Sequence, residues 1–292
     1  MLWDVLPTGS HLGGAPANFA YIASLLGAEG VLASRVGRDE LGRAASARLQ
    51  RAGVDISHLQ VDDNHPTGST LVSVADDGAA AYEIVRDAAW DYLQWTPALA
   101  ELAARTDAVC FGTLAQRSPA TRAAIRQFLQ HTSARCIRLL DANLRPPFWS
   151  AETVEQSLRL ANVVKLNHLE SAEIARVASI EAASDIEMAQ ALRRRYWLAA
   201  VCVTCGANGS ILATEHNTSE HPGIPADVVD TIGAGDAFAA ALAIQLLSAS
   251  GPEAANRAAN SVAAWVASRR GAMPAPDEVI ATLRKTCGFA LP

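Results

Sequence analysis

The stretch Val228-Val229-Asp230-Thr231-Ile232-Gly233-Ala234-Gly235-Asp236-Ala237-Phe238 concentrates more potential chemistry than any other part of the chain. A β-rich run meets two close glycines and then an apolar segment of helical composition. Glycines at such a junction let backbone N–H groups turn inward, and a helix start adds a positive dipole end. Together they predict an anion site. Asp236 would repel a bound phosphate. A carboxylate there is useful where a hydroxyl must lose its proton while attacking a phosphoryl group. The same residues also fit a plain helix N-terminus with an acidic first turn. No G-x-x-x-x-G-K-[ST] occurs, and Phe238 stands where G-x-G-x-x-G needs its third glycine. Any nucleotide is therefore held without a P-loop lysine.

A second stretch, Leu12-Gly13-Gly14-Ala15-Pro16-Ala17-Asn18-Phe19-Ala20, puts two glycines before a helical segment. The glycines permit close backbone approach, and the Asn18 amide offers both a donor and an acceptor, the pairing that a sugar hydroxyl wants. A simple capped helix start reads equally from these residues. Asn167 and Glu170 have the spacing of a capping box. Cys202 and Cys205 form a C-x-x-C inside an apolar run with no second pair at zinc spacing, so all five cysteines read as core thiols.

These residues must be positioned by alternating elements. Strand-length apolar runs at 108–112, 136–141, 163–166, 199–204 and 210–213 alternate with helical periods at 17–26, 41–52, 118–131, 234–247 and 253–269. That order predicts an α/β domain with a mostly parallel sheet. One segment breaks the rhythm. Residues 67–86 alternate as a hairpin, with Asp76-Asp77-Gly78 at the tip. A hairpin inserted between α/β units reads either as a flap that closes over substrate or as an ordinary edge hairpin.

Composition narrows the partners. Half of the 292 residues are apolar, which excludes intrinsic disorder. A net charge of -6 offers no basic field for nucleic acid. No apolar run approaches the roughly 20 residues that span a bilayer, and no secretory leader opens the chain. A soluble, cytoplasmic protein without nucleic-acid or membrane partners is expected.

Asp230-Thr231-x-Gly233-Ala234-Gly235-Asp236 and Gly13-Gly14-Ala15-Pro16-Ala17-Asn18 resemble the two signatures of the PfkB (ribokinase-like) carbohydrate kinases. With Leu2-Trp3-Asp4 and Asp141-Ala142-Asn143-Leu144-Arg145-Pro146, they look most like the bacterial fructokinase branch. The resemblance implies one three-layer α/β/α domain over 1–292, with a small β lid from about 4–13 and 67–86. It also implies dependence on ATP and Mg²⁺ and phosphoryl transfer to a sugar CH2OH. Asp236 would be the base, and the amides of Gly233, Ala234 and Gly235 the anion hole. Asp4, Gly14 and Asn18 would contact sugar hydroxyls, Arg86 would lie near the sugar and Arg145 near the phosphates. Asn167 and Glu170 would order Mg²⁺ through water. Thr204, Gly206, Gly209, Asn256 and Asn260 would hold the nucleoside. Asp230 and the Ile232 carbonyl, with the loop near Gly271, would correspond to a monovalent-cation (K⁺) site.

Relatives carry an apolar run and Gly-Glu ahead of the Trp-Asp pair, so most of the first strand is expected to be missing here. D-fructose is the first substrate expected. 2-Keto-3-deoxygluconate is the rival, with Tyr82, Ile84 and Arg86 setting the choice, and a non-catalytic sugar-binding remnant is the reading from another class. Lids in relatives often pair, which leaves a homodimer open.

Overall fold

Runs such as Val163-Val164-Lys165-Leu166 lack polar alternation because both faces of their sheet are covered, so nearly every side chain meets a packed layer. The computed structural model describes residues 1–6, 9–74 and 80–289. Its strands are β1 (Leu2–Leu6), β2 (Gly9–Gly13), β3 (Ser34–Gly37), β4 (Leu59–Asp62), β5 (Ser69–Val74), β6 (Ala80–Ile84), β7 (Ala108–Gly112), β8 (Ile137–Asp141), β9 (Val163–Asn167), β10 (Ala200–Thr204), β11 (Ser210–Thr214) and β12 (Thr218–His221). The main sheet runs β12-β11-β10-β9-β8-β7. It is parallel from β7 through β10 and antiparallel across β10-β11-β12.

One face of this sheet, carrying Leu139, Val163, Cys202 and Leu212, packs under the helices Ala15–Leu26, Ala234–Leu247 and Pro252–Ala267. The other, carrying Leu140, Val164, Leu166, Val201 and Val203, packs on the helices Ala151–Leu160, Ser171–Val177 and Asp185–Tyr196. This is a three-layer α/β/α domain. Each fully buried Leu or Val contributes about 1.5–3 kcal/mol of transfer free energy. The helix Ala234–Leu247 is apolar all round and rich in alanine, with Ala237, Ala239, Ala240, Ala241 and Ala243 buried. Small side chains let it sit between two other helices and the sheet.

The segments around 4–13 and 67–86 lie in one separate four-stranded sheet, ordered β2-β1-β5-β6. β1 runs antiparallel to β2 and parallel to β5, so Leu2–Leu6 belongs to this sheet, and β7 is an edge of the main one among the described residues. The tip at 75–79, with Asp76-Asp77-Gly78, and the side chain of Tyr82 lie outside the described residues. Asp39 ties the base of this sheet to the body. It caps the helix Glu40–Arg51 through the Gly42 amide at 2.7 Å and accepts from the Thr67 amide at 2.7 Å.

Two sequence expectations need correcting. The β-rich run before Asp230 forms no strand. The Val229 and Asp230 amides both donate to the Ala267 carbonyl, and the Val228 and Val229 side chains are exposed. β3, β4 and β12, with the helices Pro97–Arg105, Ala151–Leu160, Asp185–Tyr196 and Glu278–Thr286, escaped the reading. The three strands are only four residues each, too short to show a period.

Candidate active site

Three strand ends and one helix start converge at the carboxyl edge of the main sheet, where ligands of open α/β sheets bind. β8 ends in Asp141, β9 supplies Lys165 and Asn167, β10 ends in Thr204, and the helix Ala234–Leu247 begins just above them. Gly233 takes φ 80° to turn the chain into that helix, and a Cβ there would lie 2.4 Å from the Ala272 side chain. Glycine is required at this position on both counts. The Ala234 amide closes the turn onto the Thr231 carbonyl at 3.2 Å, which corrects its place among the free anion-hole donors. The amides of Gly233, Gly235 and Asp236 have no backbone acceptor among the described residues.

Asp236 meets Asn18 across the cleft. The Asn18 Nδ2 donates to Asp236 Oδ2 at 2.7 Å, joining residues 218 apart in sequence. Asn18 is itself buried, and its Oδ1 has no partner among the described residues. The Asn18 amide, with Nδ2 as donor and a buried Oδ1 left open as acceptor, carries the two functions that a substrate hydroxyl pairs with. Burial first, and then the charge of Asp141, push the Asp236 carboxyl up to about 6. The Asn18 hydrogen bond, Lys165 and Arg145 pull the other way.

Lys165 is the residue that sequence reading missed. Its Nζ donates to Asp141 Oδ1 at 3.0 Å and Oδ2 at 2.9 Å. It also lies 3.3 Å from where a Cβ on Gly235 would stand. Burial alone would lower its pKa, but the carboxylates of Asp141, Asp236 and Glu170 outweigh that and hold it above the usual lysine value. The available signal was a lone lysine inside an apolar strand, which is rarely buried without a partner.

Asn167 and Glu170 form a reciprocal cap. Asn167 Oδ1 accepts from the Glu170 amide at 3.1 Å, and Glu170 Oε2 accepts from the Asn167 amide at 2.9 Å. Glu170 Oε1 accepts from the Leu144 amide at 2.7 Å, tying in the Arg145 loop. Glu170 is buried in this arrangement, with only 7% of the residue accessible. Burial raises its pKa, against the pull of the two amides.

The nucleoside residues divide. Gly209 adopts φ 81°, and a Cβ there would sit 1.9 Å from the His221 carbonyl oxygen, so the Gly206–Asn208 turn is held tightly against β12. Gly206 has φ 59° and open space around it, and Thr204 Oγ1 donates to the Leu166 carbonyl. Asn256 is corrected. It is wholly buried, with Oδ1 accepting from the Ser210 hydroxyl and Nδ2 donating to Ser219 O at 3.1 Å, which clamps its helix to β11 and β12. Asn260 donates to Ser210 Oγ at 2.7 Å, and its Oδ1 accepts nothing among the described residues. A groove of about 490 Å³ borders this turn, lined by residues that include His168, Cys205, Asn208 and His221, and Asp236 does not reach it.

On the other side, Asp4 in β1 is half-buried. Its pKa is raised by burial, with a hydrogen bond to Thr70 and the His11 charge opposing. Gly13 leaves 3.2 Å between a would-be Cβ and Asp4 Oδ2, and Gly14 takes φ 99° against the Met1 backbone. Arg86 is exposed and stacks on Phe148 at 4.9 Å, on the same loop as the exposed Arg145. Asp230 joins its two expected neighbours, accepting from the amides of Ile232 and Gly271 at 2.9 Å each. The cysteines are all free, and burial raises the thiols of Cys110, Cys136, Cys202 and Cys205. Among the described residues no group of three His, Cys, Asp or Glu is placed to hold a metal ion, and no helix is long and apolar enough to cross a membrane.

Comparison with known proteins gives the family and the fold. The model of the pfkB family carbohydrate kinases matches residues 7–278. The chain is 31% identical over 242 residues to the fructokinase of Salmonella typhimurium, spanning 80% of this chain and 76% of that protein. It is 32% identical over 236 residues to the Escherichia coli fructokinase, spanning 79% and 75%. Among solved structures, the Vibrio cholerae fructokinase bound to fructose, ADP and calcium superposes with a TM-score of 0.80 at 25% identity, covering 97% and 95% of the two chains. A sugar kinase from Pyrococcus horikoshii in complex with ATP superposes at 0.79, covering 97% of each chain at 24% identity. The fold is ribokinase-like, and the chain belongs to the pfkB family of carbohydrate kinases.

Proposed function

We propose that the chain transfers the terminal phosphoryl group of ATP to the primary hydroxyl of D-fructose, yielding fructose 6-phosphate and ADP. The observation that carries this reading is the Asn18–Asp236 pair, with its open acceptor, beside free amides at a helix start. The sugar hydroxyl gives its proton to the Asp236 carboxylate while its oxygen attacks the terminal phosphorus. The bond from that phosphorus to the ADP oxygen breaks. The amides of Gly233 and Gly235 and the dipole of their helix take up the negative charge of the transferring group. Asp4, Gly14 and Asn18 hold the sugar, with Arg86 beside it. Arg145 faces the phosphates, and Thr204, Gly206, Gly209 and Asn260 line the nucleoside. The four-stranded sheet acts as the lid that excludes water.

Mg²⁺ enters with the nucleotide phosphates, a mode that needs only one or two protein carboxylates. Glu170, its carboxylate held by the Leu144 and Asn167 amides, would order the ion through water together with Asn167. Bound there, the ion neutralises phosphate charge. Asp230 and the Ile232 carbonyl would hold K⁺ alongside Gly271. Similarity to the fructokinases of Salmonella typhimurium and Escherichia coli supports fructose as the acceptor.

An ADP-release assay across a hexose panel, with and without Mg²⁺, tests the reading. Fructose is expected to give the highest kcat/KM. A strong preference for an acidic sugar would replace fructose with a 2-keto-3-deoxy sugar acid, and absence of turnover on every sugar would point to a binding remnant.

A further inference from the structure

We infer that Lys165 is a positioning residue for this reaction: clasped by Asp141 beneath Gly235, its ammonium balances the charge of Asp141 at the Asp236 carboxylate. The inference rests on the kinase reading for its consequence in turnover, but not for its electrostatics.

The geometry is specific. Asp141 and Lys165 are register partners on the adjacent parallel strands β8 and β9, so their side chains share the face that carries the helix Ala234–Leu247. Both Asp141 oxygens accept from the Lys165 Nζ, which fixes the ammonium in one place. That place lies 3.3 Å from a would-be Cβ on Gly235, one residue before Asp236. A side chain at Gly235 would press on the ammonium, so the glycine keeps the helix start and the charge in close contact.

The charges around the cluster explain why a cation is needed there. Asp141 from β8 acts on both Lys165 and Asp236, and Glu170 from the turn after β9 acts on Lys165. The thiols of Cys110 in β7 and Cys202 in β10 face the cluster as well, and burial holds both protonated. Arg145, beyond β8, is the other cation that acts on Asp236. Asn18, from the helix Ala15–Leu26, is uncharged. Without Lys165, Asp236 would face Asp141 with the Asn18 hydrogen bond and the exposed Arg145 in opposition. Two carboxylates sharing one low-dielectric site do not both ionise readily.

The test is a ¹³C NMR titration of aspartate-labelled protein, with the Asp236 signal identified by its loss in Asp236→Asn. In Lys165→Met, the Asp236 midpoint is expected to rise by about one to three pH units, the usual size of such a neighbouring charge. In Lys165→Met/Asp141→Asn, which removes both members of the pair, it is expected to return to near the wild-type value. Should Lys165→Met fold poorly, Asp141→Asn alone is expected to lower the midpoint, because Lys165 then acts on Asp236 unopposed. An unmoved midpoint in Lys165→Met, or a double variant shifted as far as the single one, overturns the inference. The acidic limb of kcat/KM is measured on the same proteins. A limb that stays fixed while the NMR midpoint moves refutes Asp236 as the base and leaves the role of Lys165 standing.

Discussion

Two buried ion pairs in this molecule are nearly matched as pairs and opposite in use. Lys165 and Asp141 meet at 2.9 Å with side chains 8% and 6% exposed, and Arg117 and Asp91 meet at 2.7 Å with 8% and 7%. Arg117 also donates to the Val85 carbonyl at 2.6 Å and lies over the rings of Trp90 at 4.1 Å and Phe148 at 4.8 Å. Its fork, stacking and backbone bond fasten the foot of the four-stranded sheet to the body. Lys165 is a point charge, and its surplus field falls on Asp236 and Glu170. The same kind of contact fastens where the neighbours are aromatic and tunes where the neighbours ionise.

The largest expected effect comes from removing the group on which the tuning acts. Asp236→Ala should lower turnover by about 10²–10⁴ while ATP affinity stays within a few-fold; activity within tenfold of wild type would refute the base assignment. The folded carboxyl is raised from 3.8 to about 6, so between those values the native state holds a proton that the unfolded chain has lost. Its contribution to stability therefore declines as pH rises through that window and is flat above it. Asp236→Asn should accordingly melt higher than wild type at pH 7, as calorimetry can show.

Breaking the fastening pair comes next. Arg117→Met strands Asp91 without its partner and should cost about 3–5 kcal/mol in denaturant unfolding. The acidic limb of its residual activity should stay where wild type has it, since no ionising group of the site is touched. A limb that moves would erase the distinction between the two pairs. A smaller loss follows from Gly233→Ala, which forces a side chain into φ 80° against Ala272. It should cost about 1–3 kcal/mol of stability and weaken ATP more than sugar in a KM comparison. The smallest and sharpest effect is in wild type itself. Because Asp236 must be ionised to accept a proton, kcat/KM should fall tenfold per pH unit below about 6 and level off above it.

What could be read from the sequence was whatever depends on neighbours in the chain. Gly233, Gly235 and Asp236 are a local junction, and the helix 234–247 and the strand 108–112 were read with the bounds that the fold shows. The Asn167–Glu170 cap is likewise three residues long. Lys165 was hidden because its meaning depends on Asp141, which is 24 residues away and reachable only once β8 and β9 pair. Asn256 misled for the opposite reason. On a helix near a nucleoside turn it looks like a ligand contact, yet Ser210 and Ser219 consume its amide. The run ending in Val228-Val229 has strand composition but no neighbouring strand among the described residues to pair with, and its last amides bond the Ala267 carbonyl instead.

The register that pairs Asp141 with Lys165 also bears on how the sheet assembles. Side chains alternate along a strand, so sliding β9 by one residue would turn Lys165 to the opposite layer, among Leu140, Val201 and Val203. An ammonium stranded in hydrocarbon is far costlier than any single misplaced valine. Parallel strands have no tight hairpin to dictate their alignment. Here one lysine and one aspartate act as a key and its lock, rejecting slipped pairings before the helices close over them.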